Sequence, residues 1–268
     1  MKLHNAMFEK MRMGTPVVGC KLLSRSTSVA ECMGYCGMDY VFIDGEHFVY
    51  DFEHIEDLIR AVELSGATPI MRLPSLEQSQ LVRALMAGIQ GVVLPHIETY
   101  EQVRTAVDEI KFPPLGKRGF GPTARSGRYG FISPNGEYMR QANENTMAIG
   151  MVESVKGIEN LDALLETGLD VIRIGGGDLS IDMGYEGKIT SEVEEAIEGI
   201  CAKVKASPKV ILGDSGLGGL KSQADFEKAI ARGCHMFDAG SDIAILRAKL
   251  TQTAESFREY LNAHTAKH

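Results

Sequence analysis

Eight short apolar runs recur along the chain, and the segments between them carry helical periodicity. The runs are VVGCKLL (17–23), DYVFIDG (39–45), TPIMRLP (68–74), GVVLPHI (91–97), MAIGMVES (147–154), DVIRIGG (170–176), KVILGDS (209–215) and CHMFDAGS (234–241). Most are continuously apolar rather than alternating, the pattern of parallel strands covered on both faces. Between them, DFEHIEDLIRAVELSG places Ile55, Leu58, Ile59 and Val62 at helical spacing. Ser75-x-x-Gln78, Thr99-x-x-Gln102 and Ser191-x-x-Glu194 predict capping boxes at helix starts. Strands and helices in this alternation predict a (β/α)8 TIM barrel, with an open doubly wound sheet as the runner-up. No low-complexity linker divides the chain, and 268 residues suit one barrel domain spanning 1–268.

The formal net charge of −8 argues against nucleic acid or an anionic membrane as a partner reached by bulk electrostatics. Small anionic substrates remain open, because a local arginine can override the global sign. Five cysteines, Cys20, Cys32, Cys36, Cys201 and Cys234, form no C-x-x-C pair; Cys32 and Cys36 fall on one helical face. Reduced, mostly buried thiols are expected. The opening MKLHNAMFEKMRMG lacks an apolar h-region and no run reaches the length of a membrane span, so a cytoplasmic location is expected.

One stretch breaks the rhythm. Residues 112–138, FPPLGKRGFGPTARSGRYGFISPNGEY, are rich in Gly, Pro, Arg and aromatics, and a connection this long is usually functional or disordered. Lys117, Arg118, Arg125 and Arg128 predict a lid or rim carrying positive charge near an anionic ligand, against the alternative of a subunit-contact loop.

In a barrel, catalytic groups stand at the C-terminal ends of the strands. Those ends read Asp44, Glu46 and His47 after the second strand, Arg72 after the third and His96 after the fourth. Glu153, Asp178, Asp214 and then Asp238 with Asp242 follow the remaining four. Glu153 and Asp178 end adjacent strands. Two converging carboxylates repel unless a divalent cation lies between them, and hard oxygen ligands suit Mg2+ or Mn2+. Taken singly, each acid reads better as a helix N-cap; as a pair on neighbouring strands within a set of polar strand ends, the metal reading leads. Arg72 is placed to grip a carboxylate or enolate oxygen, or to pair with Asp44 or Glu46. His47 reads as a general base near neutral pH, and His96 as a structural or subunit-contact histidine.

The sixth run ends in VIRIGGGDLS. Its glycines do not complete a dinucleotide fingerprint, since Ser180 stands where the last glycine belongs. Gly175, Gly176 and Gly177 instead let backbone N–H groups approach a substrate carboxylate, with Asp178 holding a cation.

FIDGEH, MRLP, GVVLPHIET, KRGFG, MVES, ENLDALL, GGDLSIDMGY and FDAGSDIAILR occur in the same order as in the HpcH/HpaI aldolases. The chain resembles this family of class II, metal-dependent aldolases of 2-keto-3-deoxy sugar acids and 4-hydroxy-2-oxo acids along nearly its whole length. The resemblance implies a barrel, commonly hexameric, whose last helix is exchanged between subunits. It implies Glu153 and Asp178 as ligands of a divalent cation (Mg2+, Mn2+ or Co2+) and Arg72 as the contact to the pyruvate keto oxygen. His47 becomes the proton-transfer group, Asp44 the acid beside it, and the amides of Gly175 to Asp178 the carboxylate loop. The implied reaction is aldol cleavage or formation through a metal-bound pyruvate enolate, with an aldehyde as second partner. Alternatives on the same scaffold are a Claisen-type condensation, decarboxylation of oxaloacetate, a CoA-ester lyase, or a non-catalytic 2-oxo-acid-binding paralogue.

Three positions depart from the family pattern. Gly176 stands where relatives carry proline, Met151 where aldolases often carry glutamine, and Met86 where many carry an acid that lies near the neighbouring subunit's site. The enolate half is retained while the partner-substrate half has changed.

Overall fold

The computed structural model describes residues 2–48, 50–216 and 222–266. Its eight strands are β1 (Val17–Leu22), β2 (Tyr40–Asp44), β3 (Thr68–Arg72), β4 (Gly91–Leu94), β5 (Met147–Val152), β6 (Val171–Ile174), β7 (Ile211–Leu212) and β8 (Met236–Ser241). Each falls inside one of the apolar runs of the sequence. All the paired ladders are parallel, in the order β7-β6-β5-β4-β3-β2-β1-β8. The amides of His235 and Met236 donate to the carbonyls of Leu212 and Gly213 at 2.9 and 2.7 Å. The sheet thus curls until its two ends meet, in a TIM-barrel-like arrangement.

Period-two alternation sorts the strand residues into two cores. Val41, Ile43, Val92, Leu94, Ile172 and Leu212 face the surrounding helices, against residues such as Leu58, Ile59 and Val62. Tyr40, Phe42, Ile70, Val93, Ile149, Met151 and Val171 face inward. The first helix, Ala6–Arg12, adds Met7, Phe8 and Met11 to that inner cluster. Each fully buried side chain of this kind contributes about 1.5–3 kcal/mol, so the inner core fixes the strand ends that carry polar groups.

Register does the positioning. Asp44 pairs with Arg72 across β2 and β3. Val152 pairs with Ile174 across β5 and β6, which brings Glu153 beside Gly175 one step further on.

Several local expectations are corrected. Thr99 caps its helix through Gln102 N, but Ser75 and Ser191 do not cap theirs. Those helices start after Glu77 and Thr190, with no side-chain bond at either N-cap. Cys20, Cys201 and Cys234 are buried, whereas Cys32 and Cys36 are exposed, their sulfurs 4.0 Å apart on one helix. Among the described residues, no helix is long and apolar enough to cross a membrane.

Candidate active site

The strand ends open into a cleft of about 590 Å3, lined on one side by Asp44, His47, Arg72, Met151 and the Gly175–Asp178 loop. Arg72 is its best-anchored cation. Nε and Nη2 donate to the two oxygens of Asp44 at 3.0 and 2.6 Å, and Nη1 lies 2.8 Å from Glu46 Oε2. A guanidinium has five N–H groups, so two remain for a ligand. Burial alone would raise the Asp44 carboxyl, but the hydrogen bonds and charge of Arg72 outweigh it and hold Asp44 below the usual carboxylate range. The ion-pair reading of Arg72 is thus realised with both acids at once.

The network continues beyond Arg72. Glu46 Oε1 meets His96 Nε2 at 3.0 Å, and His96 Nδ1 lies 3.3 Å from Glu153 Oε1. The backbone amide of His96 also donates to Glu153 Oε1, at 2.7 Å. This contact depends on a left-handed His96, with φ of 47°, a conformation uncommon for a residue other than glycine. Asp44, Arg72, Glu46, His96 and Glu153 therefore form one continuous polar chain. Sequence reasoning gave Glu46 only the ion pair with Arg72 and set His96 aside as a structural or subunit-contact histidine. The only signal for either was its position at a strand end.

His47 is exposed at the cleft wall, and its backbone amide lies 3.4 Å from Asp44 Oδ1. The turn after β2 is therefore folded around the same carboxylate that Arg72 grips.

Neither acid of the predicted cation pair caps a helix. Glu153 precedes the helix Val155–Glu159, but Ser154 is the capping residue, accepting from Gly157 N. Asp178 sits inside the first turn of Gly176–Asp182, whose N-cap is Gly175 and carries no side-chain bond. Glu153 is 2% exposed, and its Oε2 is buried with no hydrogen-bond partner. Burial raises its carboxyl above the usual range, the charges of Asp178 and Glu46 raise it further, and His96 opposes them. A buried carboxylate oxygen without a partner is costly, and a cation would satisfy it. Among the described residues, no three His, Cys, Asp or Glu side chains gather as a metal cluster. Glu153 and Asp178 would offer two carboxylates, a set that would fit an ion such as Mg2+ that keeps its remaining positions for water or substrate oxygens.

The glycine loop is tighter than the loss of proline implies. A Cβ on Gly176 would lie 2.2 Å from the carbonyl oxygen of Gly216, and a Cβ on Gly175 2.3 Å from Glu153 Oε2. The Gly175 amide is spent on Val152 O at 3.0 Å. That leaves the amides of Gly176, Gly177 and Asp178, in the first helical turn where intrahelical acceptors are lacking.

The loop cations do not reach this cleft. Arg125 and Arg128 both pair with Glu63 on the helix Phe52–Leu64, at 2.6 and 3.0 Å. Arg125 also holds Ala87 O, and Arg118 is 6% exposed against the Phe112 ring. Lys117 pairs with Asp108. Glu63 draws the arginines down onto the helices, leaving Phe120, Tyr129 and Phe131 exposed on the loop. Met86 packs beside Gly121 of the same loop, and Met151 lines the cleft itself.

Comparison with known proteins places the chain as a whole. The sequence profile of the HpcH/HpaI aldolase/citrate lyase family matches residues 18–248. A 2-keto-3-deoxy-L-rhamnonate aldolase of Salmonella gallinarum is 32% identical over 268 residues, 99% of this chain and 97% of the relative. The crystal structure of a HpcH/HpaI aldolase/citrate lyase family protein from Burkholderia cenocepacia superposes with a TM-score of 0.85 at 27% identity, covering 95% and 100% of the two chains. The citrate synthase SbnG superposes with a TM-score of 0.86 at 25% identity, covering 97% and 100%. With a family match across most of its length and an aldolase 32% identical over 99% of it, this chain belongs to the HpcH/HpaI aldolase/citrate lyase family and is a lyase of the aldolase type.

Proposed function

We propose that the cleft binds a 2-oxo acid, pyruvate in the simplest case, and makes or breaks the bond between its methyl-derived carbon and an aldehyde. The observation that carries this reading is the buried, partnerless oxygen of Glu153, packed against Gly175 of a cleft that Arg72 and Asp178 also line. Glu153 and Asp178 would hold a divalent cation there. When bound, the cation supplies Lewis-acid charge that favours ionisation of the 2-oxo acid next to its carbonyl.

The chain's own groups do the rest. The two spare N–H groups of Arg72 donate to the keto oxygen as it gains charge, from a guanidinium already fixed by Asp44 and Glu46. The amides of Gly176 to Asp178 receive the substrate carboxylate. His47 moves the proton, with Asp44 holding its turn in place. The cleft volume leaves room for a second reactant beside a molecule as small as pyruvate.

A Claisen-type condensation uses the same enolate half, and the likeness to the citrate synthase SbnG favours it as the second reading. An aldehyde panel with pyruvate, set against oxaloacetate with an acyl donor, separates the two. The helix Asp242–Thr265 has no buried residue, and Ile245, Leu246, Leu250, Phe257 and Leu261 are exposed along it. This supports a helix that packs on another copy of the chain, in a homo-oligomer of single-domain cytoplasmic subunits, a hexamer by family resemblance. Chelation is the direct test of the cation. EDTA should abolish activity and Mg2+, Mn2+ or Co2+ restore it, and full activity of the metal-free protein would refute the reading.

A further inference from the structure

The basic loop that the aldolase chemistry leaves unused closes over a cavity of its own. Arg118, Arg125 and Arg128 line it together with Glu63, and none of its lining residues lines the strand-end cleft. Glu63 is the single carboxylate among them. Its Oε2 takes Arg125 Nη2 and Arg128 Nη1 at 2.6 and 3.0 Å, and its Oε1 takes Arg128 Nη2 at 3.0 Å and Gln90 Nε2 at 3.3 Å. Three guanidinium groups against one carboxylate leave the cavity with an excess of two positive charges.

Arg118 is the cation left over. Its Nη2 reaches only Leu85 O at 3.4 Å and Tyr138 Oη at 3.5 Å, and the Tyr138 hydroxyl is already engaged with Ser126 Oγ at 3.0 Å. The guanidinium carbon stands 4.8 Å from the centre of the Phe112 ring. A ring face and the carbonyls at a helix C-terminus each carry only partial negative charge. Burial pushes the Arg118 guanidinium below the ordinary arginine value, and the Tyr138 hydroxyl alone opposes it. A charge taken out of water without a counter-charge is strongly unfavourable. Nε is sealed with no partner, whereas Nη1, also without a hydrogen bond among the described residues, is not sealed. It is the edge left for a ligand in the cavity that Arg118 lines.

We propose that this cavity binds one small monovalent anion, chloride or a halide of similar size, at Arg118 Nη1. The space inside is about 20 Å3, little more than one water needs, so the occupant is monatomic or nearly so. A water would meet the N–H group but not the charge. Leu85, Ile89 and Ala142 supply apolar walls, which suit a weakly hydrated anion better than a divalent one that must shed a tightly held shell. The anion supplies the counter-charge that Glu63 has already spent on Arg125 and Arg128. It thereby fastens the loop to the helices Gln78–Ala87 and Asn135–Asn145, which contribute Leu85 and Tyr138 to the cavity. The site is independent of the reaction assigned to the cleft.

The test is thermal unfolding of the full chain in sodium gluconate, whose anion is too large for the cavity, with sodium chloride replacing it at constant ionic strength. Wild type should show a saturating rise in melting temperature, about 2–4 °C when chloride stands about fivefold above its dissociation constant. Bromide should act alike and sulfate should not. Arg118→Met should unfold no lower than wild type in gluconate and should ignore chloride. Lys117→Met, a change to an exposed side chain, should respond as wild type does. An equal rise with sulfate, an equal rise in Arg118→Met, or loss of the response in Lys117→Met would assign the effect to general screening and overturn the site. No rise in wild type overturns it as well. If Arg118→Met does not fold, wild-type crystals grown from bromide decide. An anomalous peak within hydrogen-bond reach of Arg118 is expected there, and water alone in the cavity refutes the site.

Discussion

Gly175 lies against Glu153 so closely that a Cβ built on it would stand 2.3 Å from Oε2 and 2.7 Å from the glutamate's own Cβ. The bare backbone at the end of β6 is therefore what leaves room for the carboxylate at the end of β5 beside the cleft-lining loop. Gly175→Ala should displace Glu153, and misplacement of this size costs on the order of 100-fold in rate. Steady-state kinetics and a Mn2+ titration check this: kcat/KM and cation affinity fall together. Wild-type values for both would break the link between the two residues.

The same packing argument applies to Gly176, with a different outcome. The carbonyl of Gly216 occupies the space a Cβ would need, at 2.2 Å, so restoring the family's proline should overpack the loop. Gly176→Pro should lose about 1–3 kcal/mol of stability, read from thermal or urea unfolding. A variant as stable as wild type would mean that the loop after β7 yields freely.

Asp44 and Arg72 form a nearly buried pair, and removing one partner strands the other's charge. Asp44→Asn should cost about 3 kcal/mol at neutral pH. The sign with pH follows from the lowered carboxyl of Asp44. Its stabilisation is present above the unfolded aspartate range, near about 3.9, and is lost as pH falls through the lower folded value. The stability gap between wild type and variant should narrow only on strong acidification. A gap constant across that range would assign the loss to packing.

Glu153 runs the opposite way. Its carboxyl is raised, so the stability it contributes is present below the ordinary glutamate range and is lost as pH rises through the raised folded value. In EDTA at neutral pH, Glu153→Gln should therefore be more stable than wild type, by about 1–3 kcal/mol. Mn2+ should raise the melting temperature of wild type and leave the variant's unchanged. Equal responses to Mn2+ would remove Glu153 from the cation site.

The barrel and the acids at its strand ends were legible in the sequence for one physical reason. Continuous apolar runs mark strands covered on both faces, and a charged residue directly after such a run has no packing role to explain it. Asp44, Arg72, Glu153 and Asp178 all followed that rule. His96 did not, because its contact with Glu153 depends on a left-handed backbone that no glycine announces. The loop arginines misled because their sign was visible but their neutralising partner, Glu63, lies some sixty positions away on another helix. The cap at Ser75 failed because the helix begins two residues later than its motif implies.

The proposed activation of a 2-oxo acid's methyl group by Arg72, Glu153 and Asp178 is read most directly by NMR of pyruvate in D2O with the enzyme, before and after chelation. Deuterium should enter the methyl group with cation present, should stop entering after EDTA, and should resume on addition of Mn2+. Exchange that ignores EDTA, or no exchange in the loaded enzyme, would contradict the account.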